Sequence, residues 1–299
     1  MKLAIGRRPE MLDVVLIRLS GRKPLLRAEL QADYVDDQNT LVLDAACLQH
    51  AGPLELAAMV SMGTWAAYQN RKVTLFPPYD QNVASYLTRM NVTEHLGTVA
   101  KVEGPQVLQN RKDRSETLLE VTKVTPSNAD DVARALGQVA IRKFGMRIGT
   151  AVYQSVGELI LNATTHGLSS ADAFVAAQLY SGATSGRPGL EVAVCDSGVG
   201  VLEHLRTSAR HQNINDGPSA LERALERALT SSEIDSVGGR GNGLGNLGHY
   251  ATRGGGGRLT LRSSGAVAVV ELDGNRPTLC NSVATQLDGT WASLRVHLP

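Results

Sequence analysis

Short apolar segments of strand character alternate with longer segments of helical periodicity through the first hundred residues. That alternation limits the possible folds more than any other feature. Thr40-Leu41-Val42-Leu43-Asp44 reads as a short buried strand. Residues 53–70 follow with Leu56, Met59, Val60 and Trp65 at helical spacing, which predicts an amphipathic helix. Lys72-Val73-Thr74-Leu75-Phe76 is another strand, stopped by Pro77-Pro78, and residues 80–90 place Val83, Leu87 and Met90 on one helical face. Strand, helix, strand, helix implies parallel strands joined by right-handed crossovers.

From about residue 99 to 116 the pattern weakens and polar residues accumulate, so a domain boundary is expected there. A second unit opens with the strand Leu118–Val124. Ser127 and Asp130 have capping-box spacing and predict a helix that runs to about Phe144. Residues 258–263, 266–272 and 291–298 read as strands, so this unit finishes in β structure.

Composition removes several classes of function. With 30 Lys+Arg against 29 Asp+Glu the net charge is +1, so no global field recruits nucleic acid or an anionic membrane. Aromatics make up 4%, which argues against a base-stacking surface. Cys47, Cys195 and Cys280 are odd in number and widely spaced, matching neither a metal-ligand pattern nor a disulfide framework. No stretch offers the eighteen or so apolar residues of a membrane span, and the first residues lack the apolar core of a signal peptide. A soluble, cytoplasmic protein is expected.

Three segments carry chemistry. In the helix expected over residues 149–166, Val152, Val156, Leu159 and Ala163 form a core-facing stripe, with Ser155, Glu158, Asn162 and Thr165 as a polar stripe beside it. Glu158 and Asn162 stand one turn apart, as an ordinary solvated pair would also stand. The apolar strand Gly189-Leu-Glu-Val-Ala-Val-Cys195 runs into Asp196-Ser-Gly-Val-Gly200. A carboxylate at the end of such a strand is partly buried and seeks a strong donor such as an exocyclic amine. Its two glycines let a flat ligand approach the backbone, although strand-to-turn junctions favour Asp and Gly on conformational grounds alone. Third is Gly238-Gly-Arg-Gly-Asn-Gly-Leu-Gly-Asn-Leu-Gly248, whose bare amides suit phosphate oxygens. A helix starting near Leu244 would add its positive end there. The G-x-G-x-x-G of residues 243–248 is not a dinucleotide fingerprint, because no buried strand precedes it. No Gly-Lys-Ser/Thr occurs, so a P-loop is excluded.

Glu158-Leu-Ile-Leu-Asn162-Ala-Thr-Thr-His166-Gly167, Asp196-Ser-Gly-Val-Gly200 and Gly239-Arg-Gly-Asn-Gly-Leu-Gly245 together resemble the asparagine box and two glycine boxes of the GHKL ATPases. That superfamily includes DNA gyrase, the heat-shock chaperone, histidine kinases and mismatch-repair proteins. Order and spacing fit across residues 117–299, and the ending Leu287-Asp-Gly-Thr-Trp-Ala-Ser-Leu-Arg-Val-His-Leu-Pro299 is similar to the last strand of that fold. Within the superfamily, the first box is most similar to that of the anti-sigma-factor serine kinases.

The resemblance implies an α/β two-layer sandwich, a mixed sheet covered by helices, that binds ATP and Mg²⁺. It implies that Asn162 coordinates Mg²⁺ and that Asp196 accepts the adenine amine, with Gly198 and Gly200 admitting the base. Gly241, Gly243, Leu244 and Gly245 would lie against the phosphates, with Arg240 as a further contact. Glu158 would be the general base for water or a substrate hydroxyl. Residues 201–238 would form a lid containing an amphipathic helix over 220–229.

Residues 1–105 resemble a STAS domain, the α/β fold of anti-anti-sigma factors, through Leu41-Val42-Leu43-Asp44, the turn at Gly52 and Val73-Thr74-Leu75. Residues 106–116 would then be a linker. Where STAS antagonists carry a phosphorylatable Ser, this chain reads Gln49-His50-Ala51-Gly52, which argues against self-phosphorylation at that position. Thr165 replaces the basic residue common in the histidine-kinase box. No phospho-acceptor helix pair and no transducer domain is discernible, so a sensor kinase or topoisomerase is not expected.

The expected activity is ATP hydrolysis or phosphoryl transfer to a protein Ser/Thr; a non-catalytic, ATP-gated interaction switch is the alternative. The implied partner is a regulatory protein of the sigma-factor or antagonist kind. A homodimer stays open, and neither a membrane nor direct nucleic-acid contact is expected.

Overall fold

Residues 14–35, 39–104, 118–165, 172–182, 188–229, 257–273 and 276–297 are described by the computed structural model. In the first half the elements are β1 (Val14–Arg18), β2 (Gly21–Arg22), a 3-10 turn (Pro24–Leu26), β3 (Gln31–Val35), β4 (Thr40–Asp44) and β5 (Leu48–His50). They continue with α1 (Pro53–Tyr68), β6 (Lys72–Phe76), α2 (Gln81–Arg89), α3 (Val92–Gly97) and β7 (Lys101–Val102). Five strands form a sheet in the order β3-β1-β4-β6-β7. Only β1–β3 is antiparallel; the pairs crossed over by helices, β4–β6 and β6–β7, are parallel. Leu41, Leu43, Val73 and Leu75 are buried while their neighbours along each strand are not, so one face of this sheet is packed.

The second half comprises β8 (Leu118–Val124), α4 (Ala129–Phe144), α5 (Met146–Thr165), β9 (Ala173–Tyr180), β10 (Gly189–Asp196), α6 (Gly200–Arg206) and α7 (Gly217–Leu229). It ends in β11 (Arg258–Ser263), β12 (Ala266–Asp273), β13 (Arg276–Val283) and β14 (Thr290–His297). These strands make a seven-stranded sheet in the order β13-β12-β11-β14-β10-β9-β8. The expected mixed sheet is not observed, because every described pair is antiparallel. The cause is connectivity. Two helices, α4 and α5, separate β8 from β9, and an even number of crossings returns the chain reversed. Short turns then link β11, β12 and β13 as hairpins.

The start of α4 also departs from expectation. Asn128 is the N-cap residue, and its Oδ1 accepts from Thr125 N at 2.8 Å while the Ser127 hydroxyl engages that of Thr125. No Ser127–Asp130 box forms; Asp130 instead pairs with Arg134 and accepts from the Tyr153 hydroxyl.

Helices α4, α5 and α7 cover one face of the seven-stranded sheet. Helix α1 covers the other, packing on β9, β10 and β14 while still lying against β4 and β6. Accordingly α1 is not the amphipathic helix that residues 53–70 predict. It is buried at every position from Pro53 to Gly63, Glu55 and Ser61 included, because it has a sheet on each side. Ile17, Leu43, Leu56, Met59, Phe174, Cys195 and Trp291 therefore belong to one continuous core. The linker expected at 106–116 lies outside the described residues. Among the described residues no helix is long and apolar enough to cross a membrane.

Candidate functional site

Helix α5 presents the first group. Val152, Val156 and Leu159 are buried against the sheet and Ala163 packs beside them, as the periodicity requires. Ser155, read from sequence as part of the polar stripe, is 1% exposed and belongs with the core face. Glu158 and Asn162 are each half-buried at the edge of that face. Among the described residues no hydrogen bond or ion pair engages Glu158. The amide Nδ2 of Asn162 is buried and, among the described residues, has no acceptor. A buried donor without a partner costs about 1–3 kcal/mol unless something outside the protein fills it.

Strand β10 presents the second group. It is buried at all eight positions, between β9 and β14, and ends at Asp196. Side chains alternate along a strand, so Asp196 projects to the same face as Val192 and Val194, the face that α5 crosses. Glu158, Asn162 and Asp196 thus come to one side of the sheet. Asp196 Oδ1 accepts from Gly198 N at 2.8 Å and from Thr290 N at 3.3 Å. No described donor reaches Oδ2. Burial pushes this carboxyl up to about 7, and the two backbone N–H groups oppose the shift only in part.

The pocketed carboxylate gives a stability prediction. Its folded-state value lies above that of the unfolded chain, so folded Asp196 holds its proton longer and stability falls as pH rises from about 4 to about 7. Asp196→Asn removes that titration. In denaturant titrations the unliganded variant should match wild type near pH 4 and exceed it at pH 8, by up to about 4 kcal/mol. Buried Glu55 is raised into the same range, but it is common to both proteins and cancels in the difference. A gap independent of pH would show that Asp196 is not held in this way.

The turn after Asp196 is enclosed by residues the motifs do not include. Gly200 has φ of 78°, and a Cβ there would lie 2.8 and 2.9 Å from the hydroxyls of Ser264 and Ser263. Here the glycine answers to the turn and to packing. Those hydroxyls accept from Leu202 N and Val201 N, and Ser263 donates to the carbonyl of Gly289. Gly289, with φ of 85°, presses on the Asp196–Ser197 peptide so closely that a Cβ would lie 1.9 Å from Asp196 O. Gly289 and Thr290 thus hold the carboxylate from behind. The signal in the sequence was the Asp288-Gly289-Thr290 turn into the last strand.

Part of the expected lid is built differently. Residues 201–229 contain α6 and α7, and Ala220, Leu221 and Leu225 fix α7 in the core against β12 and β13. An apolar face that is already buried cannot swing freely. Residues 230–238 of that span lie outside the described residues, as do His166, Gly167, Arg240, Gly241, Gly243, Leu244 and Gly245. Among the described residues no three His, Cys, Asp or Glu side chains group closely enough to hold a metal.

Among the described residues, the arrangement offers an unfilled buried donor at Asn162, an unfilled acceptor at Asp196 and an unpaired carboxylate at Glu158, all toward one side of the sheet. No protein-family model matches the sequence, and no curated protein matches it.

Proposed function

We propose that this chain is an ATP- and Mg²⁺-binding regulatory protein that hydrolyses ATP or transfers its terminal phosphoryl group to a protein Ser or Thr. The observation that carries the reading is the pair of unfilled groups at Asn162 and Asp196. The complement of the Asn162 donor is an acceptor such as a phosphate oxygen, and that of Asp196 Oδ2 is an N–H donor. ATP has both.

In this reading Asp196 Oδ2 accepts from the adenine amine, and Oδ1 stays tied to Gly198 and Thr290. Asn162 offers Oδ1 to the cation and Nδ2 to a phosphate oxygen. Mg²⁺ supplies charge neutralisation at the phosphates. Glu158, with no described partner to hold it, takes the proton from the attacking water or hydroxyl. Gly241, Gly243, Leu244 and Gly245 would contribute backbone amides, and Arg240 a charge.

The STAS phosphorylation position offers no acceptor hydroxyl. At the STAS phosphorylation position, Gly52 caps α1, with Glu55 accepting from its N–H at 2.9 Å. A Cβ on Gly52 would meet Lys23 at 3.0 Å and Glu191 at 3.1 Å, so that helix start is closed off against β10.

Incubation with γ-labelled ATP, alone and with lysate, tests the reading. Free phosphate marks a hydrolase and a labelled protein marks a kinase. Neither, with ATP still bound, leaves the switch, which the direct packing of α1 on the nucleotide-facing sheet favours as the second reading.

The metal role has its own test. Asn162→Ala removes a hard oxygen ligand, so calorimetry should show ATP binding that Mg²⁺ no longer strengthens. An intact Mg²⁺ dependence would place the cation elsewhere.

A further inference from the structure

Ser197 follows Asp196 and, by strand alternation, faces away from it, toward α1. There it meets Ser61. The two hydroxyl oxygens are 2.8 Å apart, and Ser197 Oγ lies 3.1 Å from the carbonyl oxygen of Ser61. Both side chains are buried, at 0% and 3% exposure. Each hydroxyl has one proton, so the bonds settle in one sense: Ser197 donates to the Ser61 carbonyl and Ser61 donates to Ser197 Oγ. The pair joins positions 136 residues apart and is the described hydrogen bond between α1 and the Asp196–Gly200 turn; farther along α1, Trp65 Nε1 donates to Asp288 Oδ2 at 3.0 Å.

The turn is held from the opposite side by Gly289 and Thr290. Asp196 is therefore set between two anchors, one from β14 and one from the first half of the chain. Separating the pair would break the bond that the Ser61 hydroxyl makes and both of those that the Ser197 hydroxyl makes, in a buried interface.

We propose that Ser61 is a positioning residue for Asp196, through which the first half of the chain and the adenine-recognising turn are thermodynamically linked. The proposal rests on the ATP reading above and names a regulation of that same site. Linkage runs both ways: whatever shifts α1 changes the affinity of the site, and occupancy of the site changes how firmly α1 is held.

Calorimetry with Mg²⁺-ATP and Mg²⁺-inosine triphosphate, whose base carries a carbonyl where adenine has its amine, separates positioning from general support. Wild type should prefer ATP. Ser61→Ala should weaken ATP by about threefold to tenfold, the range of one buried hydrogen bond. It should weaken inosine triphosphate much less, so that the preference narrows. Ser197→Ala approaches the same pair from the other end, and it serves should the first variant fold poorly. The double variant should lose no more than Ser197→Ala alone.

Equal weakening of both nucleotides, additive losses or unchanged affinities would each overturn the linkage while leaving the ATP reading intact. Wild type binding neither nucleotide would overturn both.

Discussion

Glu158→Gln is expected to bind Mg²⁺-ATP as wild type does and to turn it over about a hundredfold to ten-thousandfold more slowly, the range for losing a general base. Gln keeps the size of Glu and nearly its helix propensity, so α5 and its apolar stripe are undisturbed. It cannot accept a proton at neutral pH. Glu158 has no described partner, so the substitution breaks no contact whose loss would imitate a catalytic effect. Single-turnover rates and calorimetry on the same preparations make the comparison. Turnover within a few-fold of wild type would remove Glu158 from the chemistry. Wild type that binds ATP without turnover, while a partner still responds, would leave the switch in place of the enzyme.

The largest structural effect is expected at Gly289. An L side chain at its φ of 85° costs about 1–2 kcal/mol from backbone strain alone. The Cβ would in addition lie 1.9 Å from Asp196 O and 2.6 Å from Asp196 C, and neither backbone atom can move without shifting β10 against β14. Gly289→Ala should therefore cost about 3–5 kcal/mol, in the tail of single-substitution effects. For a chain of this size that lowers Tm by roughly 5–8 °C. Variant protein still folded at 25 °C should also bind ATP weakly, because Asp196 can relax only by leaving its place. A Tm within two degrees of wild type would contradict the close approach of Gly289 to Asp196.

The elements that sequence places well are those whose signal is local. β4, β6, β10, β11 and α2 combine a periodic or continuous apolar run with a nearby stop, such as Pro77-Pro78 or the Asp80 cap. β13 was not legible because Arg-Pro-Thr-Leu-Cys-Asn-Ser-Val is an edge strand, paired only with β12, and carries no alternation. β9, with three alanines in Ala-Phe-Val-Ala-Ala-Gln-Leu-Tyr, suits a helix as well as a strand. The same contrast divides the candidate site. Glu158, Asn162 and Asp196 stand out by residue type and spacing, whereas Thr290 reaches Asp196 across 94 residues and Ser61 reaches Ser197 across 136. No window of sequence holds both partners. The burial of α1 on all sides was hidden for the same reason: one of its two covers is the seven-stranded sheet of the second half.

That double cover sets an order on synthesis. Helix α1 leaves the ribosome with β4 already made and β6 soon to follow, so one side can pack at once. The strands that cover its other side, β9, β10 and β14, end as late as His297. At 5–20 residues per second the 229 residues between Tyr68 and His297 take roughly ten to forty-five seconds to appear. Until β9 and β10 appear, and in part until β14 does, Leu54 to Gly63, without a charge beyond Glu55, waits half-covered on the nascent chain. A chaperone that recognises apolar helices would find its natural substrate there, and a transcript cut short after the first hundred codons would yield a product prone to self-association.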